Sequence, residues 1–301
     1  MKFSQSILVS NIFDPLTHSK EELDDLYLKL SNLRRYKSIE TRIITDKDSI
    51  DKFKEYADQN SWNVTYWVTG DVAREGLNPS SRNNEIHEKT ILRLKTLAEM
   101  ASNGRCKYFG IASGVSEGEN FIEQELDQFE STIRELIGYC SKYEDMKIVF
   151  EPLDEFAHKK NVIGTTKRTY DFLQRFNDKD WCKTGKLSIC WDSAHMALNE
   201  DDFEMSIKLL SPYISRIHFS NAVLDKESKL YGDWHMNFIF PGFMNIEVAS
   251  KIIDLIMLEK DSDFELFVAC EIRTKEKLEC WTVEDTCFNF INSAISESVS
   301  K

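Results

Sequence analysis

Short runs in which apolar residues dominate or alternate recur along the chain, and stretches with apolar residues at helical spacing separate them. Residues 4–10 (SQSILVS) read as a first strand, and 19–36 as a helix with Ser19 and Glu22 in capping-box register. Strands follow at 40–45, 63–70 and 107–114, with helices near 48–59 and 85–102. Ser116 and Glu119, again in capping-box register, open a long helix to about Lys142. The second half repeats the scheme, with strands at 147–153, 187–195, 214–221 and 264–273. Its helices lie near 165–177, 200–210, 245–259 and 281–297. Parallel strands need crossover helices, and eight strand–helix units in a chain of this length close into a barrel. The expected fold is therefore α/β, a single (β/α)8 TIM barrel spanning 1–301 as one domain. An open doubly wound sheet is the competitor, but no glycine-rich strand-to-helix phosphate turn occurs.

The ends of the last four strands break the apolar pattern. Residues 187–195 (LSICWDSAH) alternate Leu187, Ile189 and Trp191 with Ser188 and Cys190, then stop on Asp192. The preceding strand ends in Glu151-Pro152, the next carries His218, and the last finishes on Glu271. Catalytic groups of such barrels come from the C-terminal strand ends. Three acids at one rim repel one another, and a cation removes that cost. Oxygen ligands with one imidazole suit one divalent ion, Mn2+ first, with Mg2+, Co2+ or Zn2+ as alternatives. Taken singly, each residue reads equally as a cap or a solvating group, so the inference rests on their coincidence.

His195 lies three residues beyond Asp192. An extended strand of period two cannot put both on one face, which places His195 in the following loop, above the rim, in reach of a substrate. In the loop YGDWHMNFIFPG, Asp233 and His235 point the same way if the segment is extended, and Pro241-Gly242 reads as a turn. Trp67, Trp191, Trp234 and Phe240 are candidates for apolar walls around a small ligand. Arg273, two beyond Glu271, either meets an anionic substrate group or balances charge at the rim.

Composition narrows the classes. A formal net charge of −13 repels polyphosphates and weakens a nucleic-acid reading. No stretch approaches the roughly 20 apolar residues of a membrane span. The N-terminal apolar run is too short for a secretory signal. Seven cysteines, without CxxC spacing, fit reduced thiols in a cytoplasmic protein better than a disulfide framework.

FEPL, WDSAH, IHFSN, GDWH…PG and CEIR, in that order, resemble the xylose isomerase-like barrel superfamily of sugar (phosphate) isomerases and epimerases, which also contains the apurinic endonucleases. The resemblance covers about residues 107–275. It implies metal ligands at Glu151, Asp192, His218 and Glu271, a substrate-side histidine at His195, and the family's Asp-x-His pair at Asp233 and His235. Two departures stand out. The early strand ends IITDKD, WVTGDV and IASGVS lack the histidines of a three-metal cluster, and HFSNAVLDK has no basic residue before Lys226, where the epimerase branch carries one.

The reaction that these residues imply is proton abstraction beside a carbonyl through a cis-enediolate. Glu151 and Glu271 act as acid and base from opposite sides, and His195 acts at a substrate oxygen. Asp233, Trp234, His235 and Arg273 contact the substrate, a small carbohydrate, in a chain that binds neither nucleic acid nor membrane and is compatible with a homodimer. Dehydration of an inosose- or dehydroshikimate-like substrate uses similar parts. An abasic-site phosphodiesterase and a non-catalytic sugar-acid sensor are the readings from other classes.

Overall fold

The computed structural model describes residues 1–143, 146–260 and 263–299. Eight parallel strands form a closed barrel: β1 (Lys2–Leu8), β2 (Ser38–Thr41), β3 (Asn63–Trp67), β4 (Cys106–Ala112), β5 (Lys147–Glu151), β6 (Leu187–Asp192), β7 (Ile214–Phe219) and β8 (Glu265–Cys270). Neighbours in sequence are neighbours in space. Pairing of Lys2 with Glu265 through Gln5 with Val268 joins β1 to β8 and closes the ring. The open-sheet alternative is thereby excluded.

One main helix follows each strand: α1 (Lys20–Leu33), α2 (Lys47–Asn60), α3 (Asn84–Ser102), α4 (Ile122–Cys140), α5 (Thr166–Gln174), α6 (Phe203–Leu210), α7 (Ile246–Glu259) and α8 (Cys280–Val299). The helix starts follow from side-chain caps. Ser19 accepts from the Glu22 N–H, and Asp46, Asn83, Thr165, Asp202 and Asn245 cap five others in the same manner. Ser116 is an exception. The left-handed backbone of Gly118 (φ +129) interrupts the segment, and α4 begins only at Ile122 after a 3-10 turn. Ser116 Oγ donates instead to Glu125, one turn inside the helix, at 2.7 Å.

Strand boundaries shift for similar local reasons. β1 gives way at Val9 to a short helical turn through Ile12, and β2 covers 38–41 rather than 40–45. β6 stops at Asp192, because Asp192 itself caps a short helix, Ser193–Leu198.

The alternation along each strand sorts side chains between two environments. Trp191 points outward, its indole N–H donating to Ser206 on α6 at 3.0 Å. Phe150 also points outward, packing against Phe129 of α4 and Phe172 of α5. Asp192 and Glu151, the next residues along, therefore face the barrel interior. The helix layer buries the apolar stripe of α4, namely Leu126, Phe129, Ile133, Leu136 and Ile137. The last helix is fastened by Glu284, which accepts from Arg35 Nε at 2.9 Å and from the Tyr36 hydroxyl, two residues before β2.

All seven cysteines are free thiols. Among the described residues no helix is long and apolar enough to cross a membrane. Phe129 sits at the centre of the strand–helix interface, in contact with two other rings and with no exposure. Phe129→Ala should lower the unfolding free energy by about 3–5 kcal/mol. Urea denaturation measures this, and a loss below about 1 kcal/mol would show that the helix layer does not depend on that aromatic cluster.

Candidate metal centre and cavity

Glu151, Asp192, His218 and Glu271 converge at the C-terminal mouth of the barrel, each offering one ligand atom within 4.8 Å of the others. His218 Nδ1 stands between two carboxylates, 3.2 Å from Glu151 Oε1 and 3.2 Å from Glu271 Oε2. Asp192 is held by its capping role: Oδ1 accepts from the N–H groups of Ala194 and His195, at 2.8 and 3.0 Å. Its Oδ2 accepts from the Ser220 hydroxyl. Burial pushes the Asp192 carboxyl up to about 7, with Glu271 and Glu151 adding to the rise and His195 opposing it.

Cys190, two residues before Asp192, also approaches Glu151 and His218. Burial drives its thiol far up, so the oxygen-rich set is the one suited to a divalent ion. Two further buried atoms at this site are Asp233 Oδ2, 3.1 Å from Lys159 Nζ, and His235 Nδ1, which faces two carboxylates. The donor set, three carboxylates and one imidazole, fits a hard or borderline divalent cation.

His195 is not in a loop. It lies on the Ser193–Leu198 helix and is 2% exposed, because the chain turns helical directly after Asp192. Its Nδ1 is 3.3 Å from Asp154 Oδ2, and its Nε2 is 3.9 Å from Asp233 Oδ2. Burial works against its charge, yet Asp192, then Asp154, raise its pKa to about 10. Asp154, fully buried in this network, is held down at about 2 against burial, chiefly by His195.

Asp233 belongs to a two-residue antiparallel ribbon, Gly232–Asp233 with Ala222–Val223, rather than a free extended loop. His235 follows in a left-handed conformation (φ +51), which swings its Nδ1 to 3.3 Å from Asp233 Oδ1 and 3.2 Å from Glu271 Oε1. The Pro241-Gly242 segment is a turn, with Gly242 N–H donating to Ile239 at 2.9 Å.

A cavity of about 280 Å3 opens above the ligand set, and Glu151, His195, His218, His235, Glu271, Trp67 and Arg273 are among its walls. The other aromatic candidates lie elsewhere. Trp234 is half exposed and stacks on His158 at 4.7 Å, outside the cavity wall. Trp191 is buried under α6, and Phe240 is 92% exposed.

Several site residues escape a reading of the strand ends. Glu40 on β2 reaches across the interior to His218 Nε2, at 3.0 Å, and accepts from the Trp67 indole at 2.7 Å. Arg216, two before His218 and fully buried, places Nη1 3.2 Å from the same Glu40 oxygen and stacks over Tyr108. Burial opposes Glu40's charge, but Arg216 and then His218 hold its carboxyl well below the usual range. Asn11 donates to Glu271 Oε1 at 2.8 Å and fixes that carboxylate.

A family model described as xylose isomerase-like TIM barrel matches residues 35–281. No curated protein matches the sequence. Among solved structures, a D-tagatose 3-epimerase-like protein is 18% identical with a TM-score of 0.66, covering 98% of this chain and 100% of its own. The IOLI protein with a bound zinc atom is 16% identical with a TM-score of 0.69, covering 99% of this chain and 98% of its own. An AP endonuclease, family 2, from Brucella melitensis is 14% identical with a TM-score of 0.62, covering 94% and 98%. Closed barrel, ligand-bearing strand ends and the matched span agree: the chain belongs to the xylose isomerase-like TIM barrel family.

Proposed function

We propose that this protein is a metal-dependent isomerase or epimerase of a carbohydrate. The observation that carries the reading is the pair of glutamates, Glu151 and Glu271, held on either side of His218 Nδ1 at 3.2 Å under a cavity of about 280 Å3. Solved structures named for D-tagatose, D-psicose and L-ribulose 3-epimerases share the fold, as does one that carries zinc.

Glu151, Asp192, His218 and Glu271 would hold the ion. A divalent cation there supplies Lewis acidity to a substrate carbonyl and acidifies the neighbouring C–H bond. One glutamate takes that proton, and the other returns a proton to the opposite face, which inverts the carbon. Return at the adjacent carbon exchanges aldose and ketose instead. Glu271 is a weak base on its own: burial would raise its pKa, but His235 and then His218 hold it well below the usual carboxylate range. The reaction therefore depends on acidification of the substrate, not on the strength of the base. His195 faces the cavity with Asp154 behind its Nδ1, oriented to give a proton to a substrate oxygen.

The ligand histidine needs its own support. Glu40 accepts at His218 Nε2, which leaves Nδ1 free to face the carboxylates. Among the described residues, the only groupings suited to an ion share Glu151 and His218. A single ion favours proton transfer over the multi-ion hydrolysis of a phosphodiester.

Incubation of the Mn2+-loaded chain with a panel of ketoses in D2O should wash deuterium into one carbon beside a carbonyl. Glu271→Gln should slow that exchange by about 10²–10⁴-fold while leaving the circular dichroism spectrum unchanged. Exchange at the wild-type rate in the variant would refute the acid–base assignment. Glu40→Ala should weaken Mn2+ binding by about 10–100-fold, and Glu40→Gln, which keeps an acceptor at His218 Nε2, should restore much of it. Chelator competition reads the affinities, and an unchanged affinity in Glu40→Ala removes Glu40 from the metal's support.

A further inference from the structure

Four loops at the barrel mouth each send one cation to the cavity wall. Arg42 comes from the segment after β2, Arg74 from that after β3, Lys159 from that after β5 and Arg273 from that after β8. Apart from the ligand carboxylates Glu151 and Glu271, one acid, Asp71, lines the same cavity. Four cations stand against three carboxylates on this wall, in a chain whose net charge is −13.

The partners of these cations are informative. Arg74 is matched by Asp71 within one short helix, and Lys159 by the buried Asp233 at 3.1 Å. Arg42 donates to Asp14 and to the Ser10 carbonyl, at 2.5 and 3.1 Å, which anchors its guanidinium at the wall. Arg273 is different. Its backbone N–H donates to the His235 carbonyl at 2.8 Å, but its guanidinium has no ion pair or hydrogen bond among the described residues. Arg273 is exposed at the cavity rim, and a planar fork of donors there without a protein acceptor matches a carboxylate or a phosphate.

We infer that the substrate carries an anionic group, a phosphate or a carboxylate, bound at this wall by Arg273 with Arg42 and Arg74. The inference rests on the isomerase reading for the rest of the substrate. The small cavity and the overall negative charge favour a small anion over a nucleic-acid backbone.

The test titrates inorganic phosphate, glucuronate and fructose into the Mn2+-loaded full chain by calorimetry. At least one of the two anions should bind about tenfold or more tightly than fructose, and which of them does so separates phosphate from carboxylate. Arg273→Gln should weaken that binding about tenfold or more, and Arg273→Lys, which keeps the charge and loses the fork, by less. Arg42→Gln provides a second variant at the same wall. Anion affinity unchanged in both glutamine variants would put the anion on the metal ion and overturn the inference. So would failure of both anions to bind at millimolar concentration, or binding of an abasic duplex in their place. Deuterium exchange on the same samples keeps the two readings apart. Exchange into fructose with no preference for anions sinks this inference alone, whereas arginine-dependent anion binding without exchange on any ligand sinks the isomerase reading alone.

Discussion

Three buried carboxylates share one end of this barrel with a single imidazole between them, and most of the surrounding structure follows from having to hold them there. An isolated buried carboxylate is expensive, and several together are more so. The protein answers locally. Asp192 is fixed by two backbone N–H groups and a hydroxyl, Glu271 by Asn11, and both ligand glutamates face His218. Burial still pushes Asp192 up to about 7, so these contacts do not balance the set on their own. Three carboxylates about one imidazole form a donor set of the kind that suits a divalent cation.

The second consequence lies deeper in the barrel. Glu40, Arg216 and His218 form a buried charged chain that crosses the interior, with Glu40 and Arg216 showing no exposure. Barrel interiors of this kind are ordinarily filled by branched apolar residues. A buried ion pair is weak evidence for stability, since well-packed apolar residues often do as well. Orientation is the better explanation here. With Nε2 committed to Glu40, the imidazole can present only Nδ1 to the carboxylates, and Arg216 keeps Glu40 ionised for that purpose.

What was legible in the sequence, and what was not, divides along the same physical lines. The eight strand–helix units could be read because apolar periodicity is a local property. The four ligand positions could be read because a polar residue ending an apolar strand contradicts its own neighbourhood. Glu40 did not stand out, since "ETRIIT" read as a strand that begins at that residue, whereas β2 spans Ser38–Thr41 and carries Glu40 inside the barrel. The cross-barrel partner that gives Glu40 meaning is 178 residues away. Strand period shows only that His195 leaves the strand, and the loop expected from it is a helix, because Asp192 followed by Ser-Ala-His caps one. Trp234 failed for the opposite reason. An aromatic beside Asp233 and His235 suggests a wall, but the left-handed turn at His235 leaves the indole stacked outside on His158.

The mouth also separates two kinds of charge by their origin. The acids that suit a cation come from strand ends, where the barrel's hydrogen-bonded register fixes them. The cations of the cavity wall come from loops, which the register does not constrain. With a divalent ion in place and His218 neutral, Glu151, Asp192 and Glu271 amount to one net negative charge. The electrostatic character met by an arriving ligand is then decided by Arg42, Arg74, Lys159 and Arg273 rather than by the ligand set. A chain that repels anions at long range can still focus them at such a concave, low-dielectric opening. On the proposed reading, the chemistry and the choice of substrate rest on different parts of the molecule, and a change in one loop alters the second without disturbing the first.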